Sequence, residues 1–168
     1  MEDETKKIEC IDFQGNKYEV NTNQLTFRPS VYGIIIRDGK ILLSKQWDGY
    51  DIPGGGIDLG ETVEDALVRE VKEETGLNIK VGRVVTVENS FFKLPNTPHG
   101  GKYIHSILIY YLCEFVSGNL SADFLDSHEK HYADKPEWIN LKNIDKIKFY
   151  NSADSIKIVK MAENLLSL

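Results

Sequence analysis

The chain has 168 residues, 41% hydrophobic and 27% charged, which suits one globular domain with its own core and leaves no room for a second. A formal net charge of −6 without a long basic stripe argues against a nucleic-acid polymer as partner, though a phosphorylated small molecule stays open if a metal ion neutralises it. The longest apolar run, "ILIYYL", is too short for a bilayer, and "MEDETKKIEC" lacks a signal-peptide pattern, so no membrane partner and a cytoplasmic location are expected, with Cys10 and Cys113 as buried thiols.

In chain order, "IECIDFQGNKYEV" reads as a small hairpin turning at Gln14-Gly15-Asn16. "SVYGIIIRDGKILLSKQ" is a clearer one, because Asp38-Gly39 suits the positive φ angles of a two-residue turn. The following "WDGYDIPGGG" is expected to be irregular, open backbone. A helix over 63–75 is predicted from Thr62 as N-cap, Asp65 three residues on, Val63, Leu67 and Val71 as a buried stripe, and Gly76 as C-cap. "NIKVGRVVTVENSFF" and "YIHSILIYYLCEFV" read as strands, the second central because its alternation is mixed. "FKLPNTPHGGKY" reads as a loop able to cover a site, and 117–135 as another loop. "PEWINL" enters a late strand, and "NSADSIKIVKMAENLLSL" is an amphipathic helix with Ile156, Val159, Ala162 and Leu166 on its buried side. Strands, helix, strands, helix is an α+β order with a mixed sheet, not a doubly wound parallel fold.

Within the first helix, "REVKEETG" places Glu70, Glu73 and Glu74 at i, i+3 and i+4. At roughly 100° per residue the three carboxylates border the apolar stripe instead of opposing it. One reading is a solvated acidic face, since like-charged pairs at this spacing cost only ~0.2–0.5 kcal/mol. The other is a site for a hard cation, Mg²⁺ or Mn²⁺, which takes oxygen ligands and keeps positions for water and phosphate. The neighbouring glycine turn, which brings bare backbone to the same place, favours the second.

The stretch "GGIDLGETVEDALVREVKEETGL" resembles the Nudix box. Gly55, Glu61, Arg69, Glu70, Val71, Glu73, Glu74, Gly76 and Leu77 fill its pattern without a departure. The likeness extends over roughly 28–168, through "DGKILL", "PGGG" and the Glu137-Trp138 pair, and leaves 1–27 as an N-terminal hairpin extension. It implies an α/β/α sandwich around a mixed sheet, and hydrolysis of a pyrophosphate linkage in a nucleoside diphosphate joined to another group. By the same resemblance, Glu70 and Glu74 are the main ligands of Mg²⁺ or Mn²⁺, with a Gly54–Gly56 carbonyl (Gly55 foremost) beside them. Glu73 is a ligand or positions water, Arg69 locks a glutamate, and Glu61 meets Arg69 or holds a water. The general base is a box glutamate or one of Glu114, Asp123, Asp126, Glu129 and Asp134, with Glu129 foremost.

The favoured substrate is ADP-ribose-like or a nucleoside triphosphate, a small-molecule nucleotide derivative. Arg28, Trp47, Phe91 and Glu129 are its candidate contacts, and Lys45 is better read as surface charge. Pro95 comes late for the family's ADP-ribose mark, and Phe91 and Phe92 hold the earlier places. The alternative is a non-catalytic nucleotide-binding sensor or regulator on the same fold. A homodimer is compatible with the sequence.

Overall fold

The computed structural model describes residues 6–94, 103–123 and 133–166. The N-terminal hairpin pairs β1 (Lys7–Ile11) with β2 (Lys17–Asn21), and a short 3₁₀ turn leads to β3 (Leu25–Phe27). β4 (Ser30–Arg37) and β5 (Lys40–Gln46) are joined by Asp38 and Gly39 at φ +51° and +71°, the left-handed pair that a tight hairpin turn requires. Then come β6 (Gly49–Asp51), β7 (Gly54–Gly56), α1 (Val63–Thr75), β8 (Leu77–Lys93), β9 (Tyr103–Gly118), β10 (Ala133–Asn140) and α2 (Ser155–Leu166). Neither helix is long and apolar enough to cross a membrane.

The main path of the sheet runs β10-β5-β4-β9-β8-β1-β2, with β3, β6 and β7 attached to β9, β5 and β4. It is mixed: β4 lies parallel to β9, β3 to β9 and β1 to β8, and the other pairs are antiparallel.

Strand alternation sets the layers. Along β9, Leu108, Tyr110 and Leu112 face one apolar cluster while Ile109, Tyr111 and Cys113 face the other. Both faces are covered, which is why the segment reads as a nearly continuous apolar run. The first cluster includes Ile34, Ile41 and Leu43 and is closed by Ile158, Val159 and Ala162 of α2. The second includes Val31, Ile35 and Leu42 and is closed by Ala66, Leu67 and Val71 of α1. Burying each of these Leu, Ile and Val side chains contributes ~1.5–3 kcal/mol. Gly33 lets α1 lie low on the sheet, since a Cβ there would sit 3.1 Å from Val71 Cγ2 and 3.2 Å from Leu67 Cδ1.

α1 has the predicted bounds: Thr62 accepts from the Asp65 N–H, and Gly76 closes the helix at φ +75°. Two other expectations are corrected. Gly54–Gly56 is a strand, paired antiparallel with Ser30–Tyr32. The buried face of α2 is Ser155, Ile158, Val159 and Ala162, whereas Leu166 is exposed and Ile156 half-buried. The observed set has the spacing i, i+3, i+4, i+7 of a true stripe; the predicted set drifts to its edge.

Cys10 and Cys113 are buried free thiols. The hairpin β1–β2 joins the sheet where Ile11 meets Phe92 of β8.

Candidate active site

The site is built on three glycines whose missing side chains serve three different neighbours. A Cβ on Gly54 would collide with the β4 backbone, 2.1 Å from Val31 O. On Gly55 it would enter the Glu70 carboxylate, 2.6 Å from Cδ. On Gly56 it would enter the Arg28 guanidinium, 2.5 Å from Nη2. Register places Gly55 opposite Val31, on the α1 side, and Gly56 opposite Ser30, on the α2 side. The edge strand therefore carries a carboxylate over one face and a guanidinium over the other.

On the α1 side, Arg69 organises the acids. Its guanidinium has five N–H donors, and each finds an acceptor. Nε and Nη2 clasp the two oxygens of Glu61 at 2.7 Å each, and Nη2 also reaches Gly56 O at 3.1 Å. Nη1 donates to Glu70 Oε1 at 2.9 Å and to Glu73 Oε2 at 3.2 Å. The paired Arg69 guanidinium, with the Asp58 N–H, pulls the Glu61 carboxyl down to about 2. Hydrogen bonding to Glu61 in turn raises the Arg69 guanidinium above its ordinary value, so the pair stays ionised.

Glu74 is held from the sheet side. Its Oε2 accepts from Ser44 Oγ at 2.6 Å and from the Gly54 N–H at 3.2 Å. The Glu70 side chain is 12% exposed and that of Glu73 is 42%. Glu70 and Glu74 are thus not a solvated acidic face; they are seated against β7 and β5.

Every donor here is a hard oxygen, the chemistry that suits Mg²⁺ or Mn²⁺. The Glu70 carboxylate occupies a cradle that any side chain at 55 would fill, which fits an acid retained for such an ion. As the side chains stand, no three acidic, histidine or cysteine groups among the described residues converge closely enough to hold an ion.

The other sequence candidates separate. Trp47 lies in the β5–β6 turn and packs edge-on against Phe13 and Tyr150, at centroid distances of 5.9 and 4.9 Å. Phe91 faces the α1 side, stacked on His105 at 4.5 Å. Lys45 is paired with Glu137, 2.9 Å away, whose other oxygen takes the Tyr50 hydroxyl. Glu114 pairs with Lys80, Asp123 accepts from Ser121 Oγ, and Asp134 accepts from the Lys135 N–H. Glu129, Asp126 and Pro95 lie outside the described residues.

Sequence reasoning missed Ser44 and Asp51. Ser44 is a polar residue closing the buried run "ILLS", and that mismatch was its signal. Asp51 accepts from the Asn151 N–H at 3.0 Å, and burial pushes its carboxyl up to about 7. Nothing in the local sequence announces it.

The family model for the NUDIX domain matches residues 26–159. An ADP-ribose pyrophosphatase of Methanocaldococcus jannaschii is 35% identical, with 92% of this chain and 89% of that protein aligned. An RNA pyrophosphohydrolase of Sphingopyxis alaskensis is 29% identical over 76% of this chain and 87% of its own length. Among solved structures, an ADP-ribose pyrophosphatase from Streptococcus suis superposes with a TM-score of 0.63 at 23% identity, covering 85% of this chain and 94% of that one, a likeness of fold. With the α/β/α layers, the mixed sheet and an unbroken box from Gly55 to Leu77, the chain belongs to the Nudix family and is a Nudix hydrolase.

Proposed function

We propose that the chain is a divalent-cation-dependent hydrolase of the pyrophosphate linkage in a nucleoside diphosphate joined to a further group, with an ADP-ribose-like ester as the favoured substrate. The observation that carries this reading is the seating of Glu70 and Glu74 between α1 and the glycine strand, with all five donors of Arg69 directed at the same place. So much bonding around partly buried acids is more than a solvated face needs. The relative named an ADP-ribose pyrophosphatase, aligned over most of both chains, supports the substrate class. A net charge of −6 favours a small nucleotide over an RNA end.

In this reading Glu70, Glu74 and the Gly55 carbonyl would hold the cation, Mg²⁺ or Mn²⁺. The ion, when bound, offsets the diphosphate charge and acidifies water. Arg69 sets where the carboxylates sit: it ties one oxygen each of Glu70 and Glu73 and is itself fixed by Glu61. Glu73, the more open acid, orients the attacking water. Water adds to phosphorus, the bridging P–O bond breaks, and a carboxylate takes the proton, leaving two phosphate-bearing products. Arg28, beyond Gly56, meets a phosphate oxygen of the substrate on the other side of the strand.

The test is a panel of nucleoside diphosphate esters, nucleoside triphosphates and dinucleotides, each with Mg²⁺ or Mn²⁺ and with chelator, assayed for phosphate products. Ion-dependent cleavage of an ADP-ribose-like ester ahead of the other classes is expected. Saturable binding without turnover of any member would instead establish the sensor reading.

A further inference from the structure

The edges of the sheet are not protected alike. An edge strand presents unpaired N–H and C=O groups that can template another strand, and Pro, bulges and charges are the usual guards. β10, at one end of the path, carries Pro136 and a register break between Asp134 and Glu137. β2, at the other end, sets exposed Lys17 and Glu19 along its length. β8 outruns its outer neighbour: β9 pairs with it from Leu77 to Lys93, but β1 meets it only where Ile11 lies beside Phe92. Among the described residues, no strand pairs with its outer side over 77–91. The middle of that open edge is "RVVTVE", residues 83–88, with four consecutive β-branched side chains and no Pro. Val84 is 45% and Val87 55% exposed.

Two bulges shape this segment. Val81, Val84, Thr86 and Val87 pair with Cys113, Tyr111, Tyr110 and Ile109, so β8 gains one residue on β9 between Val81 and Val84 and another between Val84 and Thr86. Val81, Val84 and Val87 therefore all point to the α1 face, with Cys113, Tyr111 and Ile109. The residues between them, Gly82 with Arg83 and Val85 with Thr86, take the α2 face, and Glu88, opposite Leu108, shares it. From either end, 83–88 thus presents a charge on the α2 face, a valine on the α1 face and a β-branched residue on the α2 face. The two charges are opposite in sign. Among the described residues neither Arg83 nor Glu88 makes an ion pair; Glu88 accepts from Thr86 Oγ1 at 3.0 Å.

We infer that residues 83–88 pair antiparallel with the same residues of a second copy of the chain, about a two-fold axis passing between Val85 and Thr86. Arg83 then lies opposite the partner's Glu88 on one face, Val84 opposite the partner's Val87 on the other, and Val85 opposite the partner's Thr86. The axis repeats each pair, so four exposed valines cluster and two ion pairs close the ends of the ladder. Bulges by themselves blunt an edge, but an edge blunted only for solubility does not leave Val84 and Val87 bare on one face. A strictly alternating strand would fall out of step at the Val85–Thr86 bulge; a strand bulged at the same place keeps both halves in step, and a second copy supplies it. The opposite charges fix that register. The bulge at Gly82 and Arg83 turns β8 away from the ladder, which ends the pairing before the partner's strand reaches β1 at Phe92. β7 and the α1 acids lie on the far side of β4 and β9, so the interface leaves them open. The inference is independent of the hydrolase reading.

The test is sedimentation velocity of the full-length protein, without substrate, from low to high micromolar concentration. Wild type should be a reversible dimer over that range. Arg83→Glu and Glu88→Arg each set like charges opposite one another twice and should raise the dissociation constant at least about tenfold. Mixing the two variants restores opposite charges at both ends, so a heterodimer as tight as the wild-type dimer should form. Arg83→Glu and Glu88→Arg combined in one chain should restore the homodimer. A variant that merely misfolds is not repaired by mixing or by a second reversal, so restoration separates pairing from loss of fold. Wild type monomeric throughout would overturn the inference. So would a dimer indifferent to the single reversals, or single losses that neither mixing nor the double reversal restores.

Discussion

Two helices of similar length meet the same folding demand on opposite faces of one sheet, and treat their polar residues differently. α2 buries Ile158, Val159 and Ala162 and sends its charges outward, as where Lys160 pairs with Asp145 and both side chains stay more than half exposed. α1 buries Ala66, Leu67 and Val71 and turns Arg69, Glu70 and Glu74 back onto the sheet, where Gly56 O, the Gly54 N–H and Ser44 receive them. Surface pairs such as Lys160–Asp145 contribute ~0–1 kcal/mol, and folding needs no more than that from a polar flank. Inward-turned, partly desolvated acids bring repulsion and desolvation, and in the proposed reading they mark the face where chemistry is done.

That contrast can be broken most severely at Glu70. Glu70→Gln should leave the melting temperature within a few degrees of wild type and lower kcat/KM for the best ester on the order of 10²–10³-fold. A near-native rate would remove Glu70 from the catalytic role. Arg69→Lys comes next. A lysine has a compact ammonium and cannot span Glu61, Glu70, Glu73 and Gly56 O together, so activity should fall ~10–100-fold with a higher requirement for divalent ion. Steady-state kinetics across a Mg²⁺ titration would show it.

Gly55→Ala and Gly33→Ala sharpen the comparison, because both add one methyl beneath α1. At 55 the methyl meets a carboxylate at 2.6 Å that has to move; at 33 it meets the tips of Val71 and Leu67 at 3.1–3.2 Å. Gly55→Ala should therefore lose activity out of proportion to stability, while Gly33→Ala loses about 1–3 kcal/mol of stability and little activity per folded molecule. Chemical denaturation and kinetics on the same preparations separate the two.

The smallest effect is electrostatic. Glu61 and Asp51 sit in opposite settings, one lowered to about 2 by Arg69 and one raised to about 7 by burial. A carboxylate whose folded value is raised gives its full stability contribution below its unfolded value near 4. That contribution is lost as pH rises through about 7. Asp51→Asn is neutral throughout, so its melting temperature relative to wild type should climb between pH 5 and pH 8. A flat difference would place Asp51 in water instead. Glu61 has the reverse sign: its contribution is present above pH ~4.5 and lost towards pH 2.

Much of this was legible in the sequence, for local reasons. Thr62 and Gly76 fix the ends of α1, Asp38-Gly39 fixes a turn, and the spacing of Glu70, Glu73 and Glu74 shows that they flank the buried stripe. What was not legible depends on partners far along the chain. Three glycines carry no strand signal of their own, and Gly54–Gly56 becomes a strand only by pairing with β4 under Glu70 and Arg28. The seating of Glu74 needs Ser44, thirty residues upstream. The meeting of Phe13 with Trp47, Phe92 and Tyr150 appears only when the hairpin is laid beside β8.

The central claim, that the acids of α1 are turned inward to hold a divalent cation, is tested most directly by counting free Mn²⁺ through its electron paramagnetic resonance signal. Wild-type protein should deplete the signal at sub-millimolar Mn²⁺, more strongly with a nucleoside diphosphate present. The Glu70→Gln, Glu74→Gln double variant, still folded, should leave it close to the protein-free level. Equal depletion by the two proteins, or none by wild type with nucleotide bound, would contradict the account.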